Sequence, residues 1–85
     1  MPTHKSAAKR VRTNEKARVR NVAARSRMRS AIRSVRSATT RAAALEAYRE
    51  AVSILDRTAA RGVIKKETAD RHKARLARFA QKVPA

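Results

Sequence analysis

Between Pro2 and Pro84 the chain has no proline and a single glycine, Gly62. These two residue types are the strongest local interrupters of a helix, because proline lacks the donor and glycine carries extra backbone entropy. Alanine and arginine, the commonest residues here, are good helix formers, and β-branched residues never fall into a strand-like alternating run. The expected class is all-α.

The phase of the apolar residues divides this helical chain into three. Ala24, Met28, Ala31 with Ile32, and Val35 recur at three- and four-residue steps and predict the buried stripe of a first helix over roughly residues 6–38. Continuing that phase would place Ala42, Glu46, Arg49 and Ser53 on the seam, so a break is expected near residues 37–42, with Thr39 or Thr40 capping the next helix. The second stripe reads Leu45, Tyr48, Val52, Leu55 and Ala59. Gly62 ends that helix, because a glycine takes the left-handed C′ conformation without a Cβ clash, and Val63 and Ile64 supply the hydrophobic contact that follows. The third stripe is Ala69, His72, Leu76, Phe79 and Val83, over a helix of roughly 66–82 with Glu67 and Asp70 in its first turn. Short connections favour an up-down-up three-helix bundle, one domain over residues 1–85. The first helix is longer than the other two, so its N-terminal part must overhang. Residues 1–23 form this basic overhang, expected to fray without a partner, with Val11, Val19 and Val22 scattered among cations.

Of the chain's apolar residues, 19 are alanine and 17 are larger, which predicts a thin core. Against it stands a net charge of +17, from 23 Lys and Arg and 6 Asp and Glu. Such self-repulsion implies a polyanionic partner. The charge is uneven: residues 1–41 hold 13 basic and 1 acidic residue, residues 42–85 hold 10 and 5. Lys5, Lys9, Arg12, Lys16 and Arg20 form one ridge of the first helix, and Arg10 and Arg18 carry positive charge to other faces. A cationic rod of this kind suits insertion between phosphate backbones. Further along, Arg25, Arg29, Arg33 and Arg36 recur at steps of 4, 4, 3, accompanied at the same steps by Ser26, Ser30, Ser34 and Ser37. Arginine forks two donors onto a phosphate, whereas serine lets a backbone approach closely. Arg71, Arg75, Arg78 and Lys82 make a comparable ridge on the third helix, which suggests contact with more than one nucleic-acid segment.

Other chemistry finds no footing. There is no cysteine for disulfides or thiolate metal sites, no glycine-rich phosphate loop, no paired-carboxylate site and no nucleophile with its base. His4 lies in the basic tail, and His72 on a helical stripe with Asp70 turned to another face. No enzyme activity, cofactor, metal or small-molecule substrate is expected. Nor is a membrane: no apolar run of 18 residues occurs, and the first helix is most charged where its stripe is weakest. Tyr48 and Phe79, the only aromatics, both fall on bundle stripes and are expected in the core instead of stacked on bases. Recognition of a folded RNA through shape, phosphate and 2′-hydroxyl is therefore favoured over reading of single-stranded bases. DNA packaging fits the composition as well; the sequence blocks described next weigh against it, and competition between duplex DNA and structured RNA at matched salt discriminates the two.

Three blocks of sequence resemble a known family. Lys5-Ser6-Ala7-Ala8-Lys9-Arg10 looks like its opening, and Arg20-Asn21-Val22-Ala23-Ala24-Arg25-Ser26-Arg27-Met28-Arg29-Ser30 is similar to its first-helix motif. Asp56-Arg57-Thr58-Ala59-Ala60-Arg61-Gly62-Val63-Ile64-Lys65-Lys66, followed by Ala69, Arg71, Lys73, Arg75 and Leu76, resembles its most distinctive block. The family is the S-twenty family of bacterial small-subunit ribosomal proteins. Glu67 and Asp70 depart from its usual asparagine and alanine, and the first interhelical connection is shorter than its usual one. The resemblance implies a three-helix bundle with a long first helix, direct binding to 16S ribosomal RNA and a part in small-subunit assembly. It also implies RNA-contacting roles for Asn21, Arg61, Lys65, Lys66 and Lys73. Other small-subunit components are possible neighbours, homo-oligomers are not expected, and the location implied is the ribosome, in the cytoplasm or a bacterial-type organelle.

Overall fold

The computed structural model describes the backbone from His4 and the side chains from Ser6 onward; Met1–Thr3 and the side chains of His4 and Lys5 lie outside the described residues. Three helices follow one another: α1 (His4–Ser37), α2 (Arg41–Ala60) and α3 (Lys66–Lys82). No strand occurs among the described residues. The directions alternate. Asp56 of α2 reaches Lys73 of α3, while Arg41 at the opposite end of α2 meets Val83 and Pro84 just past the end of α3. This is the up-down-up bundle that the short connections imply.

The break after α1 falls at residues 38–40, and Thr40 is the cap. Its hydroxyl accepts from the Ala43 amide at 3.2 Å, satisfying one of the orphan donors of α2. Another finds a partner far away in sequence. The Arg41 amide donates to the Pro84 carbonyl at 2.9 Å, and the Arg41 Nε donates to the Val83 carbonyl at 3.2 Å. The C-terminal residues are thereby fastened over the start of α2, with Val83 buried against Ala44 and Ala80.

The α2–α3 turn is a Schellman motif. Gly62 has φ +77°, its amide donates to the Ala59 carbonyl at 3.0 Å, and the Val63 amide donates to the Thr58 carbonyl at 3.2 Å. Ile64 then packs on the main core cluster. Across this turn the Arg25 guanidinium of α1 donates to the Val63 carbonyl at 3.2 Å, so all three helices meet there.

The core is made largely of alanine. Ala24, Ala31, Ala44, Ala51, Ala69 and Ala80 are buried, and the largest fully buried side chains are Leu55, Leu76 and Val35. The α1 stripe lies where its phase predicts. The α2 stripe does not: Leu45 is 39% exposed, Val52 is half-buried, and the buried line is Ala44, Ala51, Leu55 and Thr58. The physical reason is that α2 lies between two neighbours. Ala47 and Ile54 border Ser30 and Ala31 of α1, whereas Asp56, on another edge of α2, reaches α3. A helix with two partners buries a broad arc centred on small residues, and a single stripe of large residues marks only part of it. Thr58 belongs to that arc without penalty, because its hydroxyl donates to the Ile54 carbonyl at 2.6 Å. Phe79 also departs from the expected stripe. It is 37% exposed, and Ala80 beside it is fully buried instead.

Before Ala24 no described residue is buried. Arg20 and Asn21 still border the α2–α3 turn beside Arg61 and Val63, and the helix from His4 to Val19, roughly 24 Å of it, projects beyond the bundle. The Cα trace is correspondingly elongated, 64 × 20 × 12 Å.

Two measurements test this architecture. A lone, like-charged helix without tertiary contacts is marginal in water, so in the free protein amides of residues 8–20 should exchange rapidly while those of 45–59 are protected. Equal protection would contradict the overhang. For the turn, a Cβ on Gly62 would meet no atom within 4 Å, so substitution there costs backbone strain alone. Gly62→Val should lose about 1 kcal/mol or more, visible as a thermal midpoint lowered by several degrees, and Gly62→Asn should lose less because asparagine tolerates positive φ. Equal midpoints for parent and valine variant would show that the turn does not hold this conformation in solution.

Candidate nucleic-acid interface

The three helices differ sharply in charge. α1 contains twelve basic residues and one acidic, Glu15; α2 balances Arg41, Arg49 and Arg57 against Glu46, Glu50 and Asp56; α3 contains six basic and two acidic residues. The helix at the centre of the packing is therefore electrically neutral, and the excess lies on the two that flank it. All described Lys and Arg side chains are exposed except Lys73, which is half-buried.

On the overhang, Lys9, Arg10, Arg12, Lys16, Arg18 and Arg20 are exposed around the helix, as is Asn21. Only one ion pair occurs there among the described residues, Arg18 with Glu15 at 2.6 Å, and it is exposed. Such a pair is weak in water and leaves the surrounding field strongly positive. Lys5 belongs to α1 by position, but its side chain lies outside the described residues.

Within the bundle the serine and arginine series of α1 take opposite flanks. Ser26, Ser30 and Ser34 line a shallow groove with Ala47, Glu50 and Ile54 of α2. The Ser34 hydroxyl donates to the Ser30 carbonyl at 3.0 Å and that of Ser37 to the Ser34 carbonyl at 3.2 Å, so both bind back to their own helix. The groove continues past Arg27 and Glu50 to Arg57 and Arg61 near the α2–α3 turn. Arg25, Arg29, Arg33 and Arg36 run along the other flank, toward α3. Arg25 at one end reaches Val63, and Arg36 at the other lies close enough to His72 to oppose its protonation.

His72 marks where the two basic ridges converge. Its pKa is lowered, first by partial burial and then by the charges of Arg71, Arg75 and Arg36. Arg36 of the α1 ridge and Arg71 and Arg75 of the α3 ridge thus come near one another around His72. Arg71, Arg75 and Arg78 are exposed on α3, and Lys65 and Lys66 are exposed at its start.

Lys73 stands apart from the other cations. Its ammonium donates to Asp56 at 2.8 Å and lies 3.3 Å from Asp70, and these two hydrogen bonds raise its pKa. Asp70 follows from this as a partner that helps hold Lys73 against α2, a use of that carboxylate that its position in the first turns of a helix does not reveal. No group of three or more His, Asp or Glu side chains suited to a metal ion occurs among the described residues, and none of the described helices is long and apolar enough to cross a membrane.

Known proteins resemble this chain over most of its length. The family model described as Ribosomal protein S20 matches residues 2–81. A protein of Syntrophobacter fumaroxidans named small ribosomal subunit protein bS20 is 51% identical over 81 residues, covering 92% of this chain and 94% of that protein. Proteins of the same name from Nitrosomonas eutropha, 49% identical over 82% of this chain and 84% of their own length, and from Lacticaseibacillus casei, 42% identical over 96% and 100%, are similar throughout. This is a family of ribosomal proteins, structural components and not enzymes. With a match that runs through all three helices and the turns between them, the chain belongs to the ribosomal protein S20 family.

Proposed function

We propose that this protein is a structural constituent of the small ribosomal subunit, located with the ribosome in the cytoplasm, and that it binds folded 16S ribosomal RNA directly and supports assembly of the subunit. The observation that carries the reading is the cationic part of α1 that extends past the bundle with no protein surface to rest on. A helix of this charge and length is stable in a groove between phosphate backbones, where counterion release favours binding and the anions remove the repulsion along the helix.

Lys5, Lys9, Arg10, Arg12, Lys16, Arg18 and Arg20, with Asn21 beside them, make the phosphate and sugar contacts of the overhang. Arg29, Arg33 and Arg36 join Arg71, Arg75 and Arg78 to hold a second RNA segment on the α1–α3 face. Arg25 contributes from its place over the α2–α3 turn, and Arg61, Lys65 and Lys66 flank that turn. Ser26 and Ser30 keep the neighbouring flank of α1 narrow, so that an RNA backbone approaches closely. Lys73 acts differently, by setting the position of α3. The neutral outer side of α2 mixes both signs and faces away from the RNA.

Salt dependence of binding separates these roles. Replacing Arg29, Arg33 and Arg36 with glutamine should flatten the dependence of log affinity on log salt by roughly 0.7–0.9 per lost phosphate contact. Arg49→Gln, on the neutral helix, should leave the slope unchanged. Leucine at Ser26 and Ser30 should weaken binding at every salt concentration through steric exclusion, with the slope retained. An Arg49→Gln slope change equal to that of the arginine triple would place RNA on α2 and overturn the orientation. Preference for duplex DNA over 16S RNA at matched salt would overturn the RNA reading itself.

A further inference from the structure

α3 has two large apolar side chains, and the bundle treats them oppositely: Leu76 is 1% exposed and Phe79 is 37% exposed. The core takes Ala80 at the next position, so burial of Phe79 is not what packs α3 onto its neighbours. The ring borders a shallow recess at the closed end of the bundle, shared with Ala38 and Thr39 of the α1–α2 connection and with Val83 and Pro84.

Its neighbours along the helix are cations. Arg75 precedes it by four residues and Lys82 follows by three, the spacings that put side chains side by side on one helical edge. His72 lies one turn further back on that edge and feels the charge of Arg36 from α1. The acidic groups of α3 are elsewhere: Asp70 is held by Lys73 on the side facing α2, and Glu67 is in the first turn. A flat apolar ring between positive side chains matches a nucleotide better than a protein surface. The base offers a π-face to the ring, and the phosphates on either side of it meet the cations.

We propose that Phe79 is a stacking platform for one unstacked nucleobase of the bound RNA, with the phosphates flanking that nucleotide held by Arg75 and Lys82. The inference rests on the RNA-binding reading above and adds to it a contact that phosphate attraction does not supply. It gives the α1–α3 face a preference for RNA that presents a bulged or looped-out base, since a fully paired helix has no free base to offer.

The full-length chain with transcribed 16S ribosomal RNA in magnesium-containing buffer provides the test. Phe79→Leu keeps an apolar side chain but removes the π-face, and should weaken binding by at least about fivefold, with the salt slope of the parent. Phe79→Trp should bind like the parent. Because the parent has no tryptophan, the introduced indole is the sole such fluorophore, and stacking on a base should quench its emission when RNA is added. Binding by Phe79→Leu within twofold of the parent overturns the proposal. So does unquenched emission from a Phe79→Trp chain that is bound, including the case in which emission changes only in complete subunits, which would assign the ring to a protein neighbour. Failure of the parent to bind the RNA at all would be a different result, overturning the RNA-binding reading itself.

Discussion

Cations spaced three and four residues apart on a helix have Cβ atoms about 5–6 Å from one another, which keeps their charges within reach of each other when salt screens over roughly 8 Å at physiological ionic strength. α1 repeats this arrangement along its length with a single acidic residue to relieve it. The repulsion is tolerable within the bundle, where Ala24, Met28, Ala31 and Val35 anchor the helix. On the overhang no such burial offsets it. The location of the unneutralised charge therefore separates the part of α1 that buried contacts anchor from the part whose charge is offset by no burial.

The way the bundle is packed follows from the same constraint. A chain with this much charge has few large apolar side chains to spare, and only Leu55, Leu76 and Val35 are both large and fully buried. Alanine fills the remaining interface. Small residues bring helix axes close, which preserves dispersion contacts at low side-chain entropy cost and keeps the body narrow. The trace is 12 Å across in its thinnest direction. Under the RNA-binding role we propose, a thin body and a projecting rod are a single solution: both limit the separation of the phosphate backbones that would be brought together.

Orientation of the ridges depends on a few polar ties at the two ends of the bundle. At one end the Schellman turn at Gly62 is held to α1 by Arg25. At the other, the Val83 and Pro84 carbonyls accept from Arg41 and cap α2. Between them Lys73 links Asp56 and Asp70 across the α2–α3 interface. Together they set the rotation and height of α3, and with it the position of Arg71 and Arg75 relative to Arg36. Three cations thus spend side-chain hydrogen bonds on the fold and not on free attraction: Lys73 and, in part, Arg25 and Arg41.

Much of this was determined by the sequence alone. A nearly breaker-free chain with phase shifts in its apolar stripe has few options other than three helices, and positive φ is expected at Gly62 because a residue without a Cβ adopts it at little cost. The cationic overhang is equally local, since it needs only a count of charge against apolar residues before Ala24. Tertiary structure decided what depends on having neighbours. Leu45 and Phe79 lie on stripes that look buried, yet the rotation of α2 and of α3 against their neighbours selects Ala44 and Ala80 for the interior instead. No periodicity shows that Lys73 is occupied by two carboxylates or that Pro84 caps a helix begun more than forty residues earlier. Those partners are distant in sequence, and only packing brings them within reach of a hydrogen bond.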